Sequence, residues 1–328
     1  MSEPFDQRLE RVTITPQILY HTLKELLDRK LDLSRDRGWN ALRADIASGR
    51  RPRLTFRQSQ ALIVQALSLS RDPDLGLAVG QRQSFASFGL LSAAMLASGS
   101  LREALEIGMR YHRVIGSMLD FEIVPFDDDH VAMVIRSRFA GSPIRRFLMQ
   151  EALMLIVKST LFLAPHQHPI IEICTPFCPS DRKSLEDQCP CAVKYVGDTQ
   201  QILFRSERLL ARLETADPFA LAETQIVLDL LLRQELAEVD ILQSVETRIL
   251  RSFPHVEKLS QVSAALGCSE RSLRRQLSNC GTSYRELLNR LRIERARQRL
   301  VEGKLSRDQI AFDLGFSDVR SLRRLLNT

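Results

Sequence analysis

The sequence lacks the features that would place it in a membrane or outside the cell. No apolar run approaches the roughly 18 residues of a membrane-spanning helix, and the N-terminus, MSEPFDQRLERVTI, contains no apolar signal-peptide core. The chain has six cysteines, and without a secretion signal these are not expected to form structural disulfides. These absences predict a cytoplasmic protein that has no membrane partner.

Sequence motifs of catalysis are also missing. The chain contains no glycine-rich phosphate loop, no nucleophile elbow and no H-E-x-x-H zinc motif. Cys174, Cys178, Cys189 and Cys191 lie close together, but their C-x3-C and C-x-C spacings differ from the C-x2-C pairs typical of zinc sites. We therefore expect no enzyme activity, no cofactor and no metal. Metal or redox sensing by these four thiols is the less favoured alternative.

A basic helix near the C-terminus is the most informative feature that is present. In CSERSLRRQL, residues 268–277, Ser269 can cap a helix start, while Leu273 and Leu277 recur on one face. The opposite face carries Arg271, Arg274, Arg275 and Ser278. Arginine can bind guanine edges and phosphates bidentately, so this face suits the major groove of DNA. A solvated basic helix is the alternative interpretation.

The same pattern recurs once, which favours DNA binding over a solvated face. Five positions repeat at an offset of 48, pairing Gln261, Val262, Leu266, Gly267 and Ser269 with Gln309, Ile310, Leu314, Gly315 and Ser317. The string RSLRR at 271–275 recurs at 320–324, at an offset of 49, so the second copy has one extra residue. Each copy is typical of a helix-turn-helix unit. The predicted DNA contacts are Ser269, Arg271, Ser272, Arg274, Arg275, Ser317, Arg320, Ser321, Arg323 and Arg324.

A long helix is predicted between the two copies. Ser283 and Glu286 can form a capping box at its start, and Gly303 can end it. About 20 residues at ~1.5 Å each span ~30 Å, close to the ~34 Å between successive major-groove segments on one side of DNA. Ser306 and Gln309 form another capping box, which opens the second unit.

Residues 250–326 resemble the C-terminal DNA-binding domain of AraC/XylS-family transcription regulators. The resemblance is carried by the segments LGCSERSLRRQL, GTSYRELLNRLRIERARQRL and IAFDLGFSD. Family members continue with a Gly-x-Ser-Pro-type turn and a last short helix, whereas this chain stops at Thr328. We therefore expect part of the apolar face of Leu322–Leu326 to be exposed and the second recognition helix to be less firmly positioned. A sensing or dimerisation protein with impaired DNA binding is the alternative.

Charge and length indicate two domains. Residues 251–328 carry 16 Lys and Arg against 8 Asp and Glu, whereas the first 250 residues carry 30 against 32. A basic end on a near-neutral body is typical of a DNA-binding module joined to a regulatory one. We expect a ligand-sensing and dimerisation domain over 1–235 and a DNA-binding domain over 236–328. The predicted fold class is α+β and mainly α, with an α/β regulatory domain followed by an all-α domain.

Helices and strands can be placed along the first domain. Helices are predicted near 17–33, 56–69, 89–115 and 142–163, the third broken at Gly99-Ser100 with Ser100 and Glu103 as a capping box. Alternating residues predict a hairpin of strands at 119–126 and 130–139, with shorter strands at 170–174, 192–196 and 201–204.

An apolar helix at 217–235 closes this domain. Its apolar positions include Leu221, Ile226, Leu228, Leu230 and Leu231. This is more apolar surface than one packing face needs. Pairing with a second copy, giving a symmetric homodimer, is one explanation, and packing within its own domain is the other.

The N-terminal part resembles the arabinose-binding-like regulatory domain of one AraC subgroup. The matching segments are LGLAVG (75–80), FGLL (88–91), SLREAL (100–105), RYHR (110–113) and the stretch from Cys189 to Phe204. The resemblance implies a transcription regulator, expected to be an activator, that binds promoter double-stranded DNA, a small-molecule effector and RNA polymerase. Tyr111 and His112 are the candidate effector contacts, with a surface or core role as the alternative. A regulator fused to a methyltransferase with a thiolate zinc site is a third, disfavoured hypothesis.

Overall fold

The chain folds into two compact units, Met1–Arg233 and Gln234–Thr328. The computed structural model describes residues 13–14, 17–34, 36–50, 54–137, 142–166, 169–189, 191–280, 282–302, 305–316 and 318–326. Ser317, Gly303 and Thr328 lie outside these residues. Within the described helices, none is long and apolar enough to cross a membrane.

The first unit combines helices with one mixed sheet. Its elements, in chain order, are β1 (Thr13–Ile14), α1 (Gln17–Asp28), α2 (Arg37–Ala47), β2 (Leu54–Thr55), α3 (Phe56–Ser70), α4 (Leu75–Arg82), a 3₁₀ turn (Phe85–Phe88), α5 (Leu90–Ala97), α6 (Leu101–Tyr111), β3 (Leu119–Pro125), β4 (His130–Ser137), α7 (Arg145–Leu163), β5 (Ile170–Cys174), α8 (Arg182–Glu186), β6 (Ala192–Lys194), β7 (Gln200–Arg205) and α9 (Ser206–Leu209).

The predicted hairpin and the three short strands form one sheet. The strand order is β3-β4-β7-β5-β6, with β5 and β6 parallel and the other neighbours antiparallel. At the hairpin turn, the Asp129 backbone N–H donates to Asp127 Oδ1 at 2.9 Å, as short polar side chains do in tight turns. The strand predictions are therefore confirmed.

Helix α7 lies at the centre of this unit and is buried on almost every side. It packs against α4, where Gly76 and Gly80 allow the two backbones to approach closely. A Cβ atom at Gly76 would collide with the Phe147 carbonyl, and one at Gly80 with the Glu151 carbonyl. This packing fixes Glu151, in the middle of α7, within the interior.

The break in the third predicted helix lies where it is expected, but the cap of the helix after it differs in detail. Helices α5 and α6 are separated at Gly99-Ser100 as expected, and the Glu103 backbone N–H donates to Ser100 Oγ at 3.2 Å. The Glu103 carboxylate, however, accepts from Gly99 N at 2.6 Å, so it satisfies the preceding residue instead of completing the predicted capping box.

The helix predicted at 217–235 is longer than expected. Helix α10 runs from Pro218 to Ser252, 35 residues, because the sequence holds no glycine or proline after Pro218 until Pro254. The structure also buries Leu228, which is 1% exposed. Leu228 therefore faces the core of the first unit, and the outer apolar stripe consists of other residues.

The second unit is all-α, which confirms the predicted fold class. After the end of α10 it contains α11 (Leu259–Ala265), α12 (Glu270–Asn279), α13 (Tyr284–Glu302), α14 (Arg307–Asp313) and α15 (Val319–Leu326). Helices α11 and α12 form the first helix-turn-helix unit, and α14 and α15 form the second.

Candidate nucleic-acid interface and effector cavity

The first recognition helix, α12, is built as its sequence predicts. Gly267 adopts φ +67° in the turn after α11, a conformation that glycine takes without strain. Ser269 caps α12 by accepting from Ser272 N at 3.1 Å. Leu273 and Leu277 are buried and pack in one apolar cluster. The arginines of the opposite face, Arg271, Arg274 and Arg275, are exposed.

The second recognition helix, α15, is capped by a residue that the repeat did not identify. The Ser321 backbone N–H donates to Asp318 Oδ1 at 2.8 Å, and its hydroxyl donates to Oδ2 at 3.1 Å. The extra residue of the second copy shifts the cap by one position, so Asp318 takes the place of Ser269. The carboxylate of Asp318 therefore lies at the start of α15, whereas the neutral hydroxyl of Ser269 lies at the start of α12.

The faces of α15 separate in the same way as those of α12. Arg320, Arg323 and Arg324 are exposed. Leu322 is only 2% exposed and belongs to an apolar cluster of the second helix-turn-helix unit. Leu326 is half-buried against that cluster. The expectation of an exposed apolar face is therefore wrong at Leu322, whose side chain is enclosed by Ile310 and Leu314 of its own unit.

Helix α13 joins the two helix-turn-helix units and contributes side chains to the cores of both. Its start is a reciprocal capping box, in which Ser283 N donates to Glu286 Oε2 at 2.8 Å and Glu286 N donates to Ser283 Oγ at 3.3 Å. Ser306 and Gln309 form the same box at the start of α14. Both capping predictions are confirmed. At ~1.5 Å per residue, the 19 residues of α13 span ~28 Å.

Arg292, in the middle of α13, binds the turn of the second helix-turn-helix unit. Its guanidinium donates to Leu314 O at 2.9 Å and to Gly315 O at 3.0 Å. It also lies over the Phe316 ring, 4.4 Å from its centroid. Burial lowers the pKa of Arg292, yet an arginine stays charged at any physiological pH. The sequence gives no sign of this role, because Arg292 is one of several arginines on α13.

The charged groups of the two recognition faces are available for DNA. Arg274 pairs with Glu270 at 3.3 Å, but its side chain is 70% exposed, and exposed pairs of this kind contribute little. Within the described residues, Arg271 and Arg275 make no ion pair. Arg285, at the start of α13, shares a shallow hollow with Arg274 and is exposed. It is a further candidate for a phosphate contact.

The first unit encloses a cavity of about 120 Å³. Its walls come mainly from α5, α6, α7 and β3 and are predominantly apolar. The polar lining includes His112, Gln83, Glu151 and Ser159. His112 Nδ1 is hydrogen-bonded to the Met109 carbonyl at 2.5 Å, and its ring packs edge-on against a phenylalanine of β3.

Tyr111, the other candidate effector contact, is not among the residues that line this cavity. It is fully buried, and its hydroxyl donates to Asp229 Oδ1 of α10 at 2.7 Å. Arg110 donates to the same oxygen at 3.0 Å. Burial, with help from the Asp229 carboxylate, raises the pKa of Tyr111. The side chain therefore joins α6 to α10.

The four cysteines of the first unit are half-buried free thiols. Burial raises the pKa of Cys189 to about 11 and that of Cys191 to about 12, which keeps them as thiols at neutral pH. Cys178 Sγ accepts from Arg182 Nε at 2.8 Å. Among the residues that the structure describes, no group of three or more metal-ligating side chains comes together.

Comparison with known proteins identifies the class to which the chain belongs. Residues 40–213 match the arabinose-binding domain of AraC transcription regulators, and residues 262–327 match a helix-turn-helix domain. The first match alone covers more than half of the chain. The chain belongs to the AraC family of transcription regulators.

Individual relatives agree with that assignment. The ornithine utilization regulator of Pseudomonas aeruginosa is 28% identical over an alignment of 294 positions, which covers 86% of this chain and 84% of that protein. The transcriptional regulator VqsM of the same organism is 24% identical over 81% of this chain and 84% of its own. The crystal structure of the transcriptional regulator CdpR, also from P. aeruginosa, shares the fold, with a TM-score of 0.50 at 20% identity and 94% of each chain covered.

Proposed function

We propose that the protein is an effector-controlled activator in which α12 and α15 read adjacent major-groove segments of promoter DNA. The proposal rests chiefly on two exposed arginine faces, each backed by buried leucines and each beginning at a capped helix N-terminus. The predicted contacts are the four serines and six arginines given in the sequence analysis, with Arg285 added as a phosphate contact. Residues 236–328 bind DNA in this proposal, and residues 1–235 sense the effector and dimerise.

The effector would act through α6. This helix lines the cavity along one side and is attached to α10 by Tyr111 and Arg110, which both donate to Asp229. A molecule that fills the cavity would shift α6, and the paired hydrogen bonds would carry the shift to α10. Tyr111→Phe removes one of these bonds at almost unchanged volume, and we expect it to weaken the effect of the effector on DNA binding.

An exposed stripe on α10 supports a homodimer. Phe219, Ile226 and Leu230 are 84%, 63% and 59% exposed. Large apolar side chains aligned on a helix commonly mark an interface. Ile226→Asp with Leu230→Asp should give a folded monomer in sedimentation experiments. Val64→Asp, at an exposed position on α3, is the control. An unchanged dimer would exclude this face.

The proposal places the protein in the cytoplasm, bound to DNA and in contact with RNA polymerase. A gel-shift assay on the DNA upstream of its own gene tests the first step. We expect binding that weakens steeply with salt, because each phosphate contact releases counterions. Changing Arg271, Arg274 and Arg275 together to alanine should weaken specific binding by about a hundredfold or more, since each base-reading arginine contributes ~1–3 kcal/mol.

A matched control separates local contacts from overall charge. Changing Arg50, Arg102 and Arg136 to alanine removes the same charge from exposed positions of the first unit and should leave specificity unchanged. If the wild-type protein showed no sequence-specific binding at low salt, the alternative of a sensing or dimerisation protein with impaired DNA binding would replace the proposal. Promoter transcription with purified RNA polymerase then distinguishes activation from repression.

A further inference from the structure

The cavity of the first unit has a predominantly apolar lining with a few polar side chains. Its apolar wall includes Leu91, Met95, Leu105, Leu148 and Ile156. Its volume of about 120 Å³ is comparable with the about 150 Å³ apolar cavity that holds a benzene molecule in another protein. The occupant that fits is therefore a small, compact molecule with a mostly hydrocarbon body.

Glu151 is the one carboxylate among the described residues that line this cavity. It is 8% exposed, lies in the cavity wall and accepts a hydrogen bond from Gln83 Nε2. No Lys, Arg or His among the described residues forms an ion pair with it. A buried carboxylate without a cation is costly, so this site has an unmet preference for positive charge.

A second polar atom lies beside the same space. Ser159 Oγ is buried in the cavity wall and has no hydrogen-bond partner within the described residues. Lys158, next to it in sequence, does not line the cavity, because its ammonium group donates to the carbonyls of Gln81 and Gln83. The described lining therefore offers a carboxylate to a cationic group and no lysine or arginine to an anion.

We propose that this cavity binds a small primary amine whose ammonium group pairs with Glu151 and whose hydrocarbon body fills the apolar wall. The ammonium has three donors and no acceptor, so it suits a buried carboxylate that has no cation beside it. An amino acid would bring its own carboxylate, which would meet no described lysine or arginine here. The inference rests on the proposed function only in taking this ligand as the effector.

The titration of Glu151 gives the expected pH dependence. Burial raises its pKa to about 7, against the hydrogen bond from Gln83, which lowers it. His112 is the other titratable side chain of the described lining. Because an ammonium pairs with the ionised carboxylate, binding should strengthen as pH rises toward about 7 and then level off. Below that pH, binding should release a proton.

The test compares ligands of one shape and three charges by calorimetry on the full-length protein. One series is benzylamine, benzyl alcohol and benzoate, and a second is n-pentylamine, pentan-1-ol and pentanoate. In at least one series the amine should bind about tenfold or more tightly than the alcohol, as expected for a charged hydrogen bond, and the carboxylate should bind more weakly than both.

Glu151→Gln keeps the size of the side chain and removes its charge. The preferred amine should lose about tenfold or more in affinity, while the matching alcohol should change much less. Glu122→Gln, in an exposed ion pair with Arg136 on the sheet, is the matched control and should bind like wild type. If the Glu151 variant does not fold, proton release on amine binding to the wild type below pH 7, measured in buffers of different ionisation enthalpy, decides the question.

Three results would overturn the proposal. These are a carboxylate that binds as tightly as its amine, an amine preference that survives Glu151→Gln, and the absence of saturable amine binding in both series. The gel-shift assay on the same preparation separates this failure from that of the proposed function. If the protein bound DNA but showed no amine binding, only the proposed ligand class would be rejected, and the proposed function would stand.

Discussion

The two helix-turn-helix units share the string RSLRR, yet they are supported differently. Within the described residues, nine buried side chains form the core of the first unit, among them Leu242, Leu273 and Leu287. Five form the core of the second, and two of these are Ala296 and Ala311. The same recognition sequence can therefore be anchored with very different amounts of buried surface, and buried apolar surface is the main source of stability.

The turns show the opposite difference: the turn of the second helix-turn-helix unit is more closely surrounded than that of the first. A Cβ atom at Gly267, in the first turn, would meet open space, whereas one at Gly315 would collide with the Pro254 carbonyl. Arg292 also bonds to the second turn and to no equivalent carbonyl of the first. The turn of the second helix-turn-helix unit is thus held by α13 and by the loop at Pro254. The first unit is held mainly by the larger apolar cluster, to which α10 and α13 also contribute side chains.

Replacing the arginines of each recognition helix by alanine tests this difference, and the expected effect on DNA affinity is the largest of those considered. Changing Arg271, Arg274 and Arg275 to alanine should weaken specific DNA binding by about a hundredfold or more, whereas the same change at Arg320, Arg323 and Arg324 should cost roughly tenfold. The less firmly held helix loses more entropy when it binds, so its contacts contribute less. Titration of one labelled promoter fragment at fixed salt measures both. An equal or larger loss from the second set would reverse the comparison.

The paired glycines give a stability test. Gly267→Ala should cost about 1–2 kcal/mol, the strain of a positive φ for an L-residue. Gly315→Ala has the same strain and also displaces the Pro254 carbonyl, so about 3 kcal/mol or more is expected. Urea unfolding of each variant checks this ordering. Equal losses would mean that the loop at Pro254 yields easily.

Arg292 can be tested against its neighbour on α13. Arg292→Gln removes two hydrogen bonds from a charged donor and the contact with Phe316, which should destabilise the second unit by about 2–3 kcal/mol. Arg295 makes a longer bond, 3.4 Å to the Leu250 carbonyl, and Arg295→Gln should cost less. Limited proteolysis mapped by mass spectrometry should show cleavage near 319–326 in the first variant only. Equal resistance would remove Arg292 from this role.

Changing the charge of the two helix caps should have the smallest effect on DNA affinity, and the two changes should act in opposite directions. Asp318→Ser keeps a capping oxygen and removes a negative charge beside the DNA, so affinity should rise a few-fold. Ser269→Asp adds that charge and should lower affinity by a similar factor, with either cap retained. Fluorescence anisotropy at two salt concentrations detects such changes. A shift in the same direction for both variants would show that cap geometry, not charge, matters.

The sequence predicts those features that depend on local pattern. The repeat, the glycine turns, the capping boxes at Ser283 and Ser306 and the strands all follow from residue spacing. It does not identify Asp318 as the cap of α15, because the repeat pairs Ser269 with Ser317 and the extra residue shifts the cap by one position. It also lists Leu228 with Ile226 among the apolar positions of this helix, because apolar character alone does not say which of them a neighbouring element covers.

The buried carboxylate in the cavity wall could not be predicted from local pattern at all. Glu151 lies in a helix whose residues are apolar on almost every side, where a single carboxylate gives no periodic signal. Its burial depends on the contact with α4, and that contact depends on two glycines some 70 residues away in the chain. Long-range packing of this kind has no counterpart in residue spacing.

Amide hydrogen exchange of the full-length protein, alone and bound to its promoter DNA, tests the central claim most directly. In the free protein, amides of 319–326 should exchange about tenfold or more faster than those of 271–279, because fewer buried side chains hold them. DNA should slow exchange in both helices, and more in the second. Equal rates in the free protein would contradict unequal anchoring, and unchanged rates in both helices with DNA bound would contradict their role in recognition.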